Sequence, residues 1–141
     1  MAAALGVPLS RIMWEGPEDE LTATHNAQPA ILTHSVAVLE LVRDRLHDIA
    51  LAAGHSLGEY SAIVSVRGLT PAEAAKIVRS RGKFMQEAVP VGTGGMAALI
   101  GPTVEEAQSI CDEAAQGEVV SVANINAPGQ TVIAGTKAGV D

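Results

Sequence analysis

Residues 54–58 read Gly-His-Ser-Leu-Gly, which places a serine hydroxyl between two residues that have no side chain. A serine hydroxyl is a weak nucleophile, so a serine that attacks a carbonyl group must be exposed and must lie beside a base. Flanking glycines allow the sharp backbone turn that exposes such a serine, and the N–H that follows it can stabilise an oxyanion. We therefore predict that Ser56 is a nucleophile and that the backbone N–H of Leu57 is an oxyanion donor.

This turn needs a strand before it and a helix after it. Residues 49–53, Ile-Ala-Leu-Ala-Ala, are a short apolar run typical of a strand that is buried on both faces. A helix is predicted to begin at Leu57 and to end near Val66. Upstream, apolar residues repeat at helical spacing, and Pro29 suits the first turn of a helix that begins near residue 28.

A second residue with chemical potential, Arg81, lies on a helix predicted over 71–88. Thr70 and Glu73 are predicted to form a capping box at the start of this helix. Arg81 lies in the middle of its apolar face, where a guanidinium needs an anionic partner. The residues alone leave two partners equally open: Glu59 in a structural ion pair, or a substrate carboxylate in a bidentate contact. The apolar face comprises Ala74, Ile77, Val78, Phe84, Met85 and Ala88.

The pattern changes after Pro90, at a glycine-rich stretch that divides the chain into residues 1–90 and 91–141. The second part is predicted to contain a strand, a helix and two strands, which is two-thirds of a split β-α-β unit. Together with the buried strand before Ser56, this order predicts the α/β fold class. The strands are predicted over 96–101, 118–125 and 131–135, and the helix over 103–116 with Val104, Ala107, Cys111 and Ala114 facing inward.

Composition excludes several classes of function. The 141 residues are 48% hydrophobic and 18% charged, so they can bury a core. A formal net charge of −7 argues against a nucleic-acid partner or an anionic membrane surface. The single cysteine is typical of a reducing compartment, and we expect a cytoplasmic protein. His and Cys residues show no metal-ligand spacing, so no metal site is predicted.

Several stretches together resemble the malonyl-CoA:acyl carrier protein transacylase family of type II fatty acid synthesis. They are QPAILT, GHSLGEYSA, RGKFMQEAVP, GTGGMAALIG and PGQTVIAG, and the resemblance runs from about Ala4 to the end of the chain. It implies an incomplete α/β-hydrolase-like acyltransferase subdomain over 1–90. It also implies that 91–141 is the first part, β-α-β-β, of a ferredoxin-like small subdomain.

The resemblance also implies a reaction. Ser56 would take a malonyl group from coenzyme A as an ester, with the Leu57 N–H in the oxyanion hole, and pass it to the phosphopantetheine thiol of acyl carrier protein. Malonyl-CoA and acyl carrier protein would be the partners, and no bound cofactor is needed because both thiols belong to substrates. The implied substrate-binding residues are Arg81, with the malonyl carboxylate, and Gln28, Asn124 and Asn126.

The chain departs from this family at both ends. Family members begin with a strand and a Gly-Gln-Gly-Ser-Gln loop that supplies a second oxyanion donor, and their catalytic histidine follows the part that matches here. We therefore expect a fragment that lacks the histidine. His55 adjoins Ser56, but neighbouring side chains at such a turn diverge. Two alternatives remain open: a serine esterase that uses the same turn with water as acceptor, and a non-catalytic fragment.

Overall fold

The computed structural model describes residues 2–141, which form two compact units. The first unit ends at Ala88 and the second comprises Val89–Asp141. The chain combines helices with a three-stranded sheet, so the predicted α/β class is confirmed at this level. The helices of the first unit are α1 (Ala2–Leu5), α2 (Leu9–Glu15), α3 (Glu18–Thr22), α4 (Thr24–Val42), α5 (Gly58–Ser65) and α6 (Pro71–Ala88), and a 3-10 turn at Arg43–Arg45 follows α4.

Helix α4 begins earlier than the sequence predicted. The prediction placed Pro29 in its first turn, whereas the helix begins at Thr24 and Pro29 lies inside it. The first turn closes on the carbonyl of Ala23, which accepts from the N–H groups of Asn26 and Ala27 at 2.8 Å each. Neither bond needs an N–H at position 29, so the missing proline donor does not prevent an earlier start.

The strand predicted over 49–53 is not formed. This segment is irregular, and two of its apolar side chains are exposed, Ile49 by 56% and Leu51 by 83%. A strand satisfies its backbone groups through a neighbouring strand, and the described residues of the first unit include none. The prediction was therefore wrong for this structure, because an apolar run indicates burial but does not supply a partner strand.

Helix α6 has the predicted bounds, and its start has the predicted capping box. The Thr70 N–H donates to the Glu73 carboxylate at 2.9 Å, and the Glu73 N–H donates to the Thr70 hydroxyl at 3.2 Å. The Thr70 hydroxyl, and after it the Thr70 N–H, hold the pKa of the Glu73 carboxyl below its ordinary value. Helix α5 also lies within the predicted bounds of 57–66.

The buried face of α6 is narrower than the predicted apolar face. Small residues of α6 are buried in a core that includes Leu32 and Val36 of α4. Phe84 and Met85, predicted on the same face, are exposed by 67% and 48%. Small side chains allow α4 to approach closely, and the larger ones are left outside that contact. The buried residues of α6 are Ala74, Ala75, Val78 and Gly82.

Gly82 lies where the backbone of α4 comes very close to α6. A Cβ atom at this position would lie 2.6 Å from the Cα of His25 and 2.7 Å from the carbonyl oxygen of Thr24. Both distances are far shorter than a van der Waals contact between such atoms. Glycine therefore allows the first turn of α4 to lie against the middle of α6.

The second unit contains β1 (Gly94–Ile100), α7 (Val104–Ala115), β2 (Val120–Ala127), β3 (Gln130–Thr136) and α8 (Lys137–Val140). The strand order is β1-β3-β2, and both neighbouring pairs are antiparallel. Strands β1 and β2 therefore run parallel on either side of β3, and α7 connects them. The predicted order of strand, helix, strand and strand is confirmed.

Helix α7 packs on this sheet through Ala107 and Cys111, both fully buried. The sequence also predicted Ala114 inward, but Ala114 is exposed and Ala115 packs against the core. Residues 107, 111 and 115 are spaced four apart and lie on one face of the helix, which is the face that the sheet covers. Ala114 follows Cys111 by three residues and lies at the edge of that face, where it stays exposed. None of the helices described in either unit has the length and apolarity needed to cross a membrane.

Replacing Gly82 with valine is expected to destabilise the first unit by about 1–3 kcal/mol, because the new side chain must force α4 away from α6. The measurement is urea unfolding followed by far-UV circular dichroism. Lys83→Ala is the control, since Lys83 is the next residue and is exposed. Unfolding of both variants at the same urea concentration would contradict the close contact.

Cys111 is expected to resist alkylation in the folded chain. Burial, and to a smaller extent the nearby Asp112, raise the pKa of its thiol, and the thiolate is the reactive form. Iodoacetamide at pH 8 should react about 100-fold more slowly with the folded than with the urea-unfolded chain. Equal rates would show that the thiol is accessible.

The raised pKa of Cys111 also predicts a pH dependence. Because the pKa of this thiol is higher in the folded than in the unfolded chain, the free energy of unfolding should fall as pH rises past about 8.5.

Candidate active site

Ser56 occupies a strained turn at the start of α5. Its φ is 51°, in the left-handed region that residues with a side chain rarely adopt, and its side chain is exposed. Such a conformation costs on the order of 1–3 kcal/mol and persists only where the surroundings impose it. The turn is closed by the Gly58 N–H, which donates to the His55 carbonyl at 2.8 Å, and by the Glu59 N–H, which donates to the Ser56 carbonyl at 3.3 Å.

The two glycines that flank this serine are not equivalent. A Cβ atom at Gly54 would lie 2.0 Å from the carbonyl carbon of Gly58 and 2.1 Å from its oxygen. At Gly58, by contrast, a Cβ atom would meet no atom within 4 Å. The turn therefore requires glycine at 54 but has room for a side chain at 58.

Leu57 lies immediately before α5, in the helical region of φ and ψ. Its N–H takes part in neither of the two bonds that close the turn. Free N–H groups at a helix start carry partial positive charge, which favours an anionic oxygen. The geometry is compatible with the predicted role of the Leu57 N–H as an oxyanion donor.

Arg81 reaches Ser56 directly. Its Nη2 donates to Ser56 Oγ at 3.0 Å, and its Nη1 donates to Gln28 Oε1 at 2.6 Å. The sequence left open a structural ion pair between Arg81 and Glu59, and this pair is not formed. The two ion pairs within residues 2–141 join Arg43 to Glu40 and Lys137 to Asp141. The guanidinium therefore has no carboxylate of the described chain beside it, and it lies at the hydroxyl of the predicted nucleophile.

Gln28 is buried, with 6% of its surface exposed, and its amide is fully engaged. Its oxygen accepts from Arg81, while its Nε2 donates to the Thr24 hydroxyl at 2.9 Å and to the Met85 sulfur at 3.4 Å. Sequence reasoning placed Gln28 near the site but missed Thr24 and Met85. Their spacing was the available signal: Thr24 precedes Gln28 by four residues and Met85 follows Arg81 by four, so each pair lies on one face of its helix.

A second pair of amide and arginine lies two residues earlier on each helix. The Nη1 of Arg79 donates to Asn26 Oδ1 at 2.8 Å, and Asn26 Nδ2 donates to the Glu20 carbonyl at 2.9 Å. Because two residues correspond to about half a helical turn, Arg79 and Arg81 point in different directions. Arg79 lines a cavity beside Asp19, away from Ser56.

An open groove of about 650 Å³ extends from Arg81 along the exposed side of α6. It accounts for the apolar side chains of α6 that the contact with α4 leaves exposed. Its walls are mainly apolar and include two cationic side chains, Lys76 and Arg81, so the groove suits an acidic ligand. The lining residues are Tyr60, Lys76, Ile77, Ser80, Arg81, Phe84, Met85 and Ala88.

Asn124 and Asn126 both lie on β2 in the second unit. Asn124 is half-buried and pairs with Val132 of β3, while Asn126 is exposed at a shift in the strand register. Their predicted contact with substrate stays a prediction. The residues that the structure brings together are Ser56, Leu57, Gln28 and Arg81.

No histidine is bonded to the serine among residues 2–141. The described side-chain partner of Ser56 Oγ is Arg81, and His55 is exposed on the adjoining position of the turn. Within the same residues, no three His, Cys, Asp or Glu side chains come together as a group of metal ligands. Among residues 2–141 the site thus contains the predicted nucleophile and a cation, but no base in contact with Ser56 Oγ.

The sequence profile of the acyl transferase domain family matches residues 1–141. The malonyl CoA-acyl carrier protein transacylase of Salmonella typhimurium is 50% identical over 141 residues, which are 99% of this chain and 46% of that protein. The enzyme of the same name from Bacillus subtilis is 48% identical over 138 residues, which are 97% of this chain and 44% of that protein. The chain therefore spans about half the length of these curated relatives.

Solved structures agree with these relationships. The malonyl-CoA:acyl carrier protein transacylase of Xanthomonas oryzae superposes with a TM-score of 0.93 at 45% identity, over 99% of this chain and 45% of that one. A malonyl-transacylase solved in complex with its type II polyketide synthase acyl-carrier protein gives a TM-score of 0.91 at 46% identity, over 99% and 45% of the two chains.

Substituting alanine for each flanking glycine in turn should separate their roles. Gly54→Ala is expected to destabilise the chain by about 1–3 kcal/mol, because its Cβ would overlap the Gly58 backbone. Gly58→Ala should be neutral or stabilising by a few tenths of a kcal/mol, since its Cβ meets nothing and alanine favours the helix. Urea unfolding of the two variants measures the difference. Similar losses in both would contradict the geometry of the turn.

Proposed function

Because the chain belongs to the acyl transferase domain family, we propose that its site transfers a malonyl group from coenzyme A to the phosphopantetheine thiol of an acyl carrier protein. The names of the similar proteins support the choice of malonyl and of an acyl carrier protein. The observation that carries the proposal is the Arg81 guanidinium, 3.0 Å from Ser56 Oγ with no carboxylate of the described chain beside it.

A cation at this distance suits an acyl group that ends in a carboxylate. A malonyl ester on Ser56 carries its carboxylate one methylene beyond the ester carbonyl, so the charge stays close to the serine. Arginine binds a carboxylate through two parallel N–H donors, and such charge-assisted bonds are stronger than neutral ones. An acetyl ester would leave the same guanidinium without an anion.

The proposed reaction proceeds in two halves. Ser56 Oγ attacks the thioester carbonyl, the Leu57 N–H donates to the resulting oxyanion, and the bond from carbon to sulfur breaks. The serine proton passes to a general base, which returns it to the leaving thiolate of coenzyme A. The thiol of the carrier protein then attacks the ester by the reverse steps. In this proposal the general base is a residue other than those that contact Ser56 within residues 2–141.

The proposal includes the finer architecture. The first unit is part of an α/β-hydrolase-like subdomain, supported by the serine turn that precedes α5. The second unit is the first part of a ferredoxin-like subdomain, supported by the strand order β1-β3-β2. No bound cofactor is required, because both thiols belong to the substrates. We place the protein in the cytoplasm, in keeping with a free and buried Cys111.

Intact mass after brief exposure to malonyl-CoA or acetyl-CoA tests the proposal. The protein that includes the general base should form a malonyl adduct, and its Ser56→Ala variant should form none. Arg81→Ala should lower the malonyl adduct about 10- to 100-fold relative to acetyl, which corresponds to the loss of a charged hydrogen bond. Arg79→Ala is the matched control, because that arginine is held by an amide in the same way but lies away from Ser56.

Three outcomes would contradict parts of this proposal. An adduct that persists in Ser56→Ala would exclude Ser56 as the nucleophile. Equal losses of malonyl and acetyl adducts in Arg81→Ala would make Arg81 a structural residue. Release of the acyl group to water, with no transfer to a carrier thiol, would favour the serine esterase alternative.

A further inference from the structure

We propose that Gln28 is a positioning residue that holds the Arg81 guanidinium in place for the substrate carboxylate and does not itself contact the acyl group. This inference rests on the proposed function, in which Arg81 binds the malonyl carboxylate. It replaces the earlier expectation that Gln28 binds substrate.

The hydrogen bonds of Gln28 are directed entirely at the protein. Arginine has donors only, so the amide oxygen of Gln28 must face Arg81, and its NH2 group must face the other way. There the NH2 finds the Thr24 hydroxyl at 2.9 Å and the Met85 sulfur at 3.4 Å. With the side chain buried, neither N–H group is left to bind a ligand.

Of the two contacts that Arg81 makes, we expect the one with Gln28 to remain after Ser56 is acylated. In the free site the guanidinium is held at two points, Nη1 on Gln28 and Nη2 on Ser56 Oγ. Once Ser56 carries an acyl group, its Oγ is an ester oxygen, which is a poorer acceptor than a hydroxyl. Nη2 is then available to the carboxylate, while Nη1 stays on Gln28 at 2.6 Å.

Preorganisation of this kind improves binding because ordering a long side chain has an entropic cost. Without Gln28, Arg81 would have to be ordered by the ligand itself. The expected loss is selective: it lowers affinity for a ligand with a carboxylate and leaves a neutral acyl ligand unaffected. A general loosening of the fold would weaken both ligands together.

The Asn26–Arg79 pair provides an internal control. It has the same chemistry on the same two helices, with a bond of 2.8 Å, but it lies beside the cavity that Asp19 lines. Gln28→Met and Asn26→Leu each replace an amide with an apolar side chain of similar size. The two variants therefore differ in which arginine loses its partner.

The experiment measures the affinities of malonyl-CoA and acetyl-CoA by titration calorimetry, in a Ser56→Ala background that prevents acylation. In that background Gln28 is the remaining described partner of the Arg81 side chain. The parent should prefer malonyl-CoA. Gln28→Met should lower that preference about three- to tenfold, the range expected from ordering one long side chain. Asn26→Leu should leave it unchanged.

Thr24→Val keeps the inference testable if Gln28→Met does not fold, as checked by circular dichroism. It removes the hydroxyl that orients the Gln28 amide, and it should lower the malonyl preference about two- to threefold. An unchanged preference in the folded variants, an equal weakening of both ligands, or the same shift in Asn26→Leu would overturn the positioning role. No malonyl preference in the parent would instead overturn the proposed function.

Discussion

The close packing of α4 on α6 at Gly82 determines the geometry of the site. Packed helix axes ordinarily lie about 8–10 Å apart, and glycine at the contact favours the lower end of that range. Gln28 lies on one helix and Arg81, the neighbour of Gly82, lies on the other. A bond of 2.6 Å between these two side chains tolerates little separation of the helices. The residue that allows the contact has no side chain of its own, and the polar chemistry depends on it.

The serine turn depends on a second close approach, that of Gly54 to Gly58. Ser56 lies between these two glycines in the left-handed region, and its hydroxyl accepts from Arg81. The two approaches are independent of each other, since one lies between helices and the other within a single turn. Between them they bring together a hydroxyl from one segment, a guanidinium from α6 and an amide from α4.

Local signals in the sequence were sufficient for much of this arrangement. The start of α6 follows from Thr70 and Glu73, and the order of strands and helix in the second unit was predicted from the sequence. The segment over 49–53 was predicted wrongly because a strand needs a partner that the local pattern cannot reveal. The sequence analysis singled out Arg81 on an apolar face, but its contacts with Gln28 and Ser56 join residues 53 and 25 positions apart. Contacts between residues so far apart in the sequence cannot be predicted from the periodic spacing of residues along one helix or strand.

The left-handed backbone conformation of Ser56 lowers the stability of the folded chain at the position of the predicted nucleophile. A φ of 51° is favourable for glycine and unfavourable for serine, so the chain carries a conformational penalty at the position of the predicted nucleophile. Glycine at this position would relieve the penalty and stabilise the chain, but it would remove the hydroxyl. Stability and the proposed nucleophilic role of Ser56 therefore make opposite demands on this residue.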